Sequence, residues 1–170
     1  MVPNAYYKSI FDIDYKRLKS IGIKNIIFDV DNTLIPYEEY TLDKKYNNKI
    51  NELKKDFNII IMSNSRSDRV LKIVKDLDVE AYYSSMKPLK KNYKKILNKY
   101  NKDECVFIGD QFMTDILGAK RMKCKVILVD RINNKEPIYT KFWRFFEFFV
   151  VNILHMKKSF KRHSYFDNLK

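Results

Sequence analysis

Ile26-Ile27-Phe28-Asp29-Val30-Asp31-Asn32-Thr33-Leu34 is an apolar, β-branched run that stops at two carboxylates in alternating positions and then at a threonine. Such a run predicts a strand buried on both faces, and hence a parallel sheet whose carboxyl edge has been made acidic. In an open α/β sheet that edge is where ligands bind. Two aspartates held close there need a cation between them or a shared proton. One of them can attack phosphorus, and a neighbour two residues on can serve as acid and base.

The motif is short, so its weight depends on the rest of the chain. Asn58 to Ser65 is a second apolar strand with a polar end, Ser63-Asn64-Ser65. Glu80 to Tyr83 reads as a short strand leading to Lys87-Pro88, and Cys105 to Gly109 as an apolar strand ending at Asp110, with Asp115 in the first turn of the following helix. Between them lie helical patterns: Leu42, Tyr46, Ile50 and Leu53; Val70, Leu71, Val74 and Leu77; Leu89, Tyr93, Ile96, Leu97 and Tyr100. Tyr6 to Phe11 is expected to pack as an N-terminal arm, followed by a short helix capped by Asp14 and stopped at Gly22. Pro36 keeps the stretch after Thr33 a loop or flap, and Lys125 to Val129 is expected to close the sheet. This alternation of β and α predicts a three-layer, Rossmann-like α/β fold, a mainly parallel sheet with helices on both faces.

Four strand ends then bring polar groups to one edge: Asp29 and Asp31, Ser63 and Asn64, Lys87, and Asp110 with Asp115. Phosphoryl transfer needs this assortment, because catalysis there is mostly positioning plus compensating positive charge. Lys87 supplies a point charge, Ser63 a donor, and carboxylates a seat for Mg²⁺.

In those residues the chain resembles the haloacid dehalogenase (HAD) superfamily of aspartyl-phosphate phosphatases, whose four motifs are matched in order by Asp29-Val30-Asp31-Asn32-Thr33, Ser63-Asn64, Lys87-Pro88 and Gly109-Asp110-Gln111-Phe112-Met113-Thr114-Asp115. The arm Tyr7-Lys8-Ser9-Ile10-Phe11-Asp12-Ile13-Asp14 makes it similar to subgroup IIIA, the YqeG kind, related to mitochondrial phosphatidylglycerophosphate phosphatase. The resemblance implies Asp29 as nucleophile and Asp31 as acid/base that also offers its carbonyl to Mg²⁺. It implies Ser63, Asn64 and Lys87 around the phosphate, Asp110 as a metal ligand and Asp115 in the metal shell. Relatives usually carry glycine near Met122-Lys123, where this chain does not. Members of the superfamily usually close the site with an inserted cap domain, for which the gaps at 34–42 and 65–87 leave no room. An open site fits a macromolecular or membrane-embedded substrate, since something else must exclude water.

Charge bears on the class of partner without choosing among its members. Lys plus Arg number 34 against 21 Asp plus Glu, a net +13. Such a surplus favours an anionic partner: lipid, phosphorylated substrate or nucleic acid. Cys105 and Cys124 lie in apolar surroundings without C-x-x-C spacing and read as reduced core residues. The start resembles no signal sequence and no apolar stretch is long enough to span a bilayer, so a cytoplasmic protein is expected.

The expected division is a core over 1–132 and a basic amphipathic tail over 133–170. On a helical wheel Lys141, Arg144, Glu147, Asn152, His155 and Lys158 share one arc, and Phe142, Phe145, Phe146, Phe149, Ile153 and Leu154 the other. That division suits an interfacial helix on the inner face of a membrane, with Lys157, Lys158, Lys161 and Arg162 adding attraction to anionic lipid. The functional expectation is a Mg²⁺-dependent phosphomonoesterase acting on phosphatidylglycerophosphate in phospholipid synthesis. The alternatives are a phosphatase of nucleic-acid ends or of a small metabolite, and a non-catalytic binding module.

Overall fold

A computed structural model of the chain describes residues 2–134, 138–157 and 159–170, and of residues 138–143 the backbone alone. Its strands are β1 (Ala5–Tyr7), β2 (Asn25–Phe28), β3 (Asn58–Met62), β4 (Glu80–Tyr82), β5 (Cys105–Gly109), β6 (Lys125–Val129) and β7 (Phe166–Asp167). They form one sheet in the order β4-β3-β2-β5-β6-β1-β7. Every pairing is parallel except β1 with β7. Phe28 lies opposite both Ile61 and Ile108, so β2, β3 and β5 end level and the residues after them share one edge.

Side-chain alternation along each strand sorts the apolar residues into two cores. Ile26, Phe28, Ile59, Ile61, Val106 and Ile108 face α1 (Tyr15–Ser20), α2 (Lys44–Leu53) and α3 (Ser67–Val74), which bury Leu18, Ile50 and Val70 against them. Ile27, Ile60, Cys105, Phe107 and Val126 face the other way, toward Tyr93 and Ile96 of α4 (Lys90–Lys99) and Ala119 of α5 (Leu117–Arg121). The parallel α/β architecture with helices on both faces is the one expected, and the segment between β2 and α2 carries turns and an isolated bridge between Asp31 and Ile35. Asp14 caps α1, accepting from the Arg17 N–H at 3.0 Å, and Gly22 follows with φ +84°.

Three expectations need correction. The sheet does not close at Val129: the N-terminal arm is itself a strand, β1, inserted between β6 and β7. Leu71 and Leu89 are exposed, because the inward arc of α3 runs through Arg69, Val70, Ile73 and Val74, and α4 starts one residue beyond Leu89. The tail is also seated on the core. Its long helix α6 (Ile138–Met156) directs Glu147, Val151 and Leu154 inward, and beyond it Phe160 and Leu169 are buried. Phe160 packs on Tyr6, Phe112 and Phe166 with ring centroids 5.5, 4.8 and 6.3 Å away, contacts worth roughly 0.5–1.5 kcal/mol each beyond area burial.

The end of α5 explains the missing glycine. Cys124 N–H donates to the Ala119 carbonyl at 3.0 Å and Lys123 N–H to the Lys120 carbonyl at 2.9 Å, the paired bonds of a Schellman turn. That turn puts Lys123 at φ +59°, a left-handed conformation glycine adopts freely. Lys123→Gly should therefore stabilise the fold by about 1 kcal/mol, less the entropy glycine returns to the unfolded chain. Thermal unfolding would show this as a midpoint raised by roughly 2–4 °C; a lowered midpoint would mean that the turn is not strained.

Candidate active site

The order β4-β3-β2-β5 brings all four motif ends together at the centre of the sheet. Asp29 follows β2, Ser63 follows β3, Lys87 lies beyond β4, and Asp110 follows β5. Lys87 Nζ bridges Asp29 Oδ1 at 2.5 Å and Asp115 Oδ1 at 2.6 Å. All three residues are buried. Burial works against the Lys87 ammonium, yet the Asp115 and Asp29 carboxylates more than offset it and hold its pKa above the ordinary lysine value. At Asp29 burial raises the carboxyl well above its usual range; Lys87 opposes this, while Asp115, Asp110 and Asp31 add to it.

Among the described residues Asp29, Asp110 and Asp115 form the cluster able to hold a metal, offering one oxygen each within 4.8 Å of one another. Hard carboxylate oxygens, crowded and short of positive charge, suit a divalent cation of the Mg²⁺ or Ca²⁺ type. The Asp31 carboxylate lies outside that cluster. It pairs with Arg69 Nη1 and accepts the Ser65 hydroxyl at 2.6 Å, with the Ser63 hydroxyl at 3.5 Å. Its side chain, 22% accessible, is the most open of the four.

Asn64 is placed to hold the lysine. Its side-chain carbonyl accepts the Lys87 N–H at 2.6 Å and its amide donates to the Lys87 carbonyl at 3.2 Å, so both sides of that backbone are clamped. Ser63 is fully buried, with its hydroxyl accepting the Ser65 N–H at 3.0 Å. Three non-glycine residues around the site, Asn32, Ser84 and Met86, have left-handed backbones with φ of 61°, 46° and 52°, the kind of local strain that surrounding structure must hold in place.

Sequence reasoning missed four contributors. Arg69, on the inner arc of α3, pairs with Asp31 and also donates through Nη2 to the carbonyls of Tyr37 and Glu39 at 2.6 and 2.8 Å, so it ties the flap to the acid/base candidate. Ser65 holds the other Asp31 oxygen. Arg144 reaches from α6 to the Asp110 carboxylate and, at 3.2 Å, to its carbonyl. Glu147, 1% exposed, accepts the Phe112 N–H at 3.1 Å and pairs with Arg144 and Arg162. A buried arginine on α3 and an Arg-Glu pair at i, i+3 on a basic helix were the available signals; each also fits a solvated helix face.

A buried acidic edge, a lysine across it and four motifs on adjacent parallel strands define a HAD-like phosphatase, and comparison with known proteins agrees. The HAD-like hydrolase of Porphyromonas gingivalis superposes with a TM-score of 0.55 at 15% identity, over 72% of this chain and 98% of that one. The HAD-hydrolase YfnB of Bacillus subtilis, bound to magnesium, superposes with a TM-score of 0.55 at 14% identity, over 68% and 90%. At these identities the likeness is one of fold. The family model described as mitochondrial PGP phosphatase matches residues 1–133, and a Bacillus subtilis protein described as a probable phosphatase, YqeG, is 30% identical over 159 residues, 92% of each chain. The chain belongs to this PGP phosphatase family within the HAD superfamily and is a phosphatase.

Gly109 shows how tightly the edge is packed. A Cβ there would stand 2.4 Å from Asp115 Cγ. Gly109→Ala must therefore push Asp115 off Lys87 and off the Gln111 N–H it accepts at 3.2 Å. A loss of roughly 1–3 kcal/mol of stability is expected from the overpacking, together with a large fall in turnover. Wild-type melting and turnover in this variant would show that Asp115 has room to move.

Proposed function

We propose that the chain is a Mg²⁺-dependent phosphomonoesterase that works through an aspartyl-phosphate on Asp29, with phosphatidylglycerophosphate as its substrate. The observation that carries this reading is the buried Lys87 bridge between Asp29 and Asp115, with Asp110 one strand away. The family's description supports the lipid substrate.

Lys87 keeps Asp29 oriented and places a positive charge where the phosphoryl oxygens arrive. An Asp29 oxygen attacks phosphorus as the bond from phosphorus to the ester oxygen breaks, and protonated Asp31 gives its proton to the departing alkoxide. In the second half Asp31 takes a proton from water, the water oxygen attacks phosphorus, and the Asp29–phosphorus bond breaks to release inorganic phosphate. Arg69 and Ser65 hold Asp31 in place for both transfers. When bound by Asp29, Asp110 and Asp115, Mg²⁺ supplies further charge compensation for the phosphoryl group.

The tail supports a surface-bound substrate. α6 turns Arg144 and Glu147 inward and leaves Phe145, Phe148 and Met156 at 60, 63 and 75% exposure, with Phe146, Phe149 and Ile153 beside them. No helix among the described residues is long and apolar enough to cross a membrane. An outward aromatic face on a chain of net charge +13 has the makeup of a helix lying on an anionic bilayer. Lys141, Phe142 and Lys158 of the expected arcs lie outside the described side chains.

Asp29→Asn should abolish turnover of p-nitrophenyl phosphate; near wild-type activity would remove Asp29 from the nucleophile's role. Mg²⁺ should raise the thermal midpoint of the wild-type protein by mass action on the folded state, and less so in Asp110→Asn. Because the raised Asp29 carboxyl must lose its proton to bind a cation, the shift should shrink as pH falls. Equal midpoints with Mg²⁺ and with chelator would refute the metal site. Replacing Phe145, Phe148 and Phe149 by serine should weaken sedimentation with anionic vesicles, and unchanged binding would count against the membrane reading. In a substrate panel, preference for 5′-phosphorylated oligonucleotides over lipid would overturn the lipid substrate.

A further inference from the structure

Beside the carboxylate cluster lies a cleft of about 1270 Å³ between the β6-β1 part of the same sheet edge and α6. Because β2, β5, β6 and β1 are parallel neighbours, the residues after each strand succeed one another along that edge: Asp29, Asp110, Arg131 and Lys8. Strands stand about 4.8 Å apart, so Arg131 lies on the order of 10 Å from Asp29 and Lys8 roughly one strand further. The cleft is joined to the site at two points. Ile132 N–H donates to the Asn32 carbonyl at 3.0 Å, directly after Asp31, and Arg144 both lines the cleft and holds Asp110.

The charges lining this cleft fall into two sets. Arg144 and Arg162 are engaged by Asp110 and Glu147. Of the acids, Asp130 is held by the hydroxyls of Tyr6 and Tyr165 and by His163, and Asp12 by the Ser9 hydroxyl. Lys8, Arg131 and Lys161 are exposed and make no ion pair among the described residues. Five cations, Lys8, Arg131, Arg144, Lys161 and Arg162, thus face three carboxylates, Asp12, Asp130 and Glu147, and the cleft that opens onto the reacting centre keeps a positive surplus carried by the unpaired Lys8, Arg131 and Lys161.

We propose that this cleft is a second anion site, formed by Lys8, Arg131 and Lys161, which takes a phosphodiester carried by the substrate one short linker away from the phosphomonoester at Asp29. The assignment rests on the phosphatase reading of the site and names the class of substrate it selects: a molecule with two phosphorus centres about one glycerol unit apart. A phosphomonoester lacking the second charge leaves the three cations to water. The diester of a lipid headgroup and that of the same headgroup without acyl chains present the same chemistry to them.

The test compares full-length wild type with the Arg131→Ala/Lys161→Ala double variant on three substrates in Mg²⁺: p-nitrophenyl phosphate, acyl-free glycerophosphoglycerol phosphate, and a short-chain phosphatidylglycerophosphate. The ratio of kcat/KM for either two-phosphate substrate to that for p-nitrophenyl phosphate should fall about tenfold or more, as expected for loss of two charge-assisted contacts, chiefly through KM. Arg131→Lys, retaining the charge, should recover part of it. An unchanged ratio overturns the second site while leaving the phosphatase reading intact. A fall confined to the lipid also overturns it, since the cations then act on the bilayer and not on the diester. Failure of wild type on all three substrates overturns both readings together.

Discussion

Four carboxylates gathered at one sheet edge are the constraint the rest of the molecule answers. Each aspartate arrives there by local necessity, as the first polar residue after an apolar strand or in the turn that follows. Once buried together they repel, and taking charge out of water is costly unless each is paired. The protein meets this with cations from three different elements: Lys87 from beyond β4, Arg69 from α3 and Arg144 from α6. Removing one partner of a buried pair typically costs roughly 3–5 kcal/mol, so the flap, the inner arc of α3 and the C-terminal helix are bound to the chemistry as well as to the hydrophobic cores. The site and the fold share their supports.

This sharing decides what could be read from the amino acids. The strands at the centre of the sheet were legible because their apolar runs are unbroken and their polar ends abrupt, and those ends carry the motifs. Lys87 was found as a motif residue, and the structure adds how Asn64 clamps its backbone on both sides. Arg69 and Arg144 were not found. Each sits on an amphipathic helix, where an arginine ordinarily occupies the solvated face, and nothing in a single sequence separates an arginine that turns inward from one that meets water. β1 and β7 are too short, at Ala5–Tyr7 and Phe166–Asp167, to show a period of their own, and depend on pairing with each other and with β6.

The C-terminal helix is the most instructive case. The division into two arcs expected from the wheel holds only in part: Arg144 and Glu147 turn inward while Phe145, Phe146, Phe149 and Ile153 are left outside, but Leu154 packs on the core and Asn152 and His155 are exposed. A buried glutamate bound by two arginines and a backbone N–H anchors the polar arc against the core. That anchoring leaves Phe145, Phe148 and Phe149 outside, so the same helix completes the site on one side and exposes an aromatic face on the other.

The position of β1 bears on how the chain acquires its structure. β1 lies between β6 and β7, with Ala5 paired to Ile127 on one side and to Asp167 on the other. Contacts so distant along the chain form late, because the loop between them must close before they are rewarded. Until then the outer side of β6 is unpaired, with its N–H and C=O groups open to other chains. Arg144 follows β6 in the chain, so the four aspartates are made before the cation that α6 brings to Asp110, and the site is complete only once α6 has packed against the sheet.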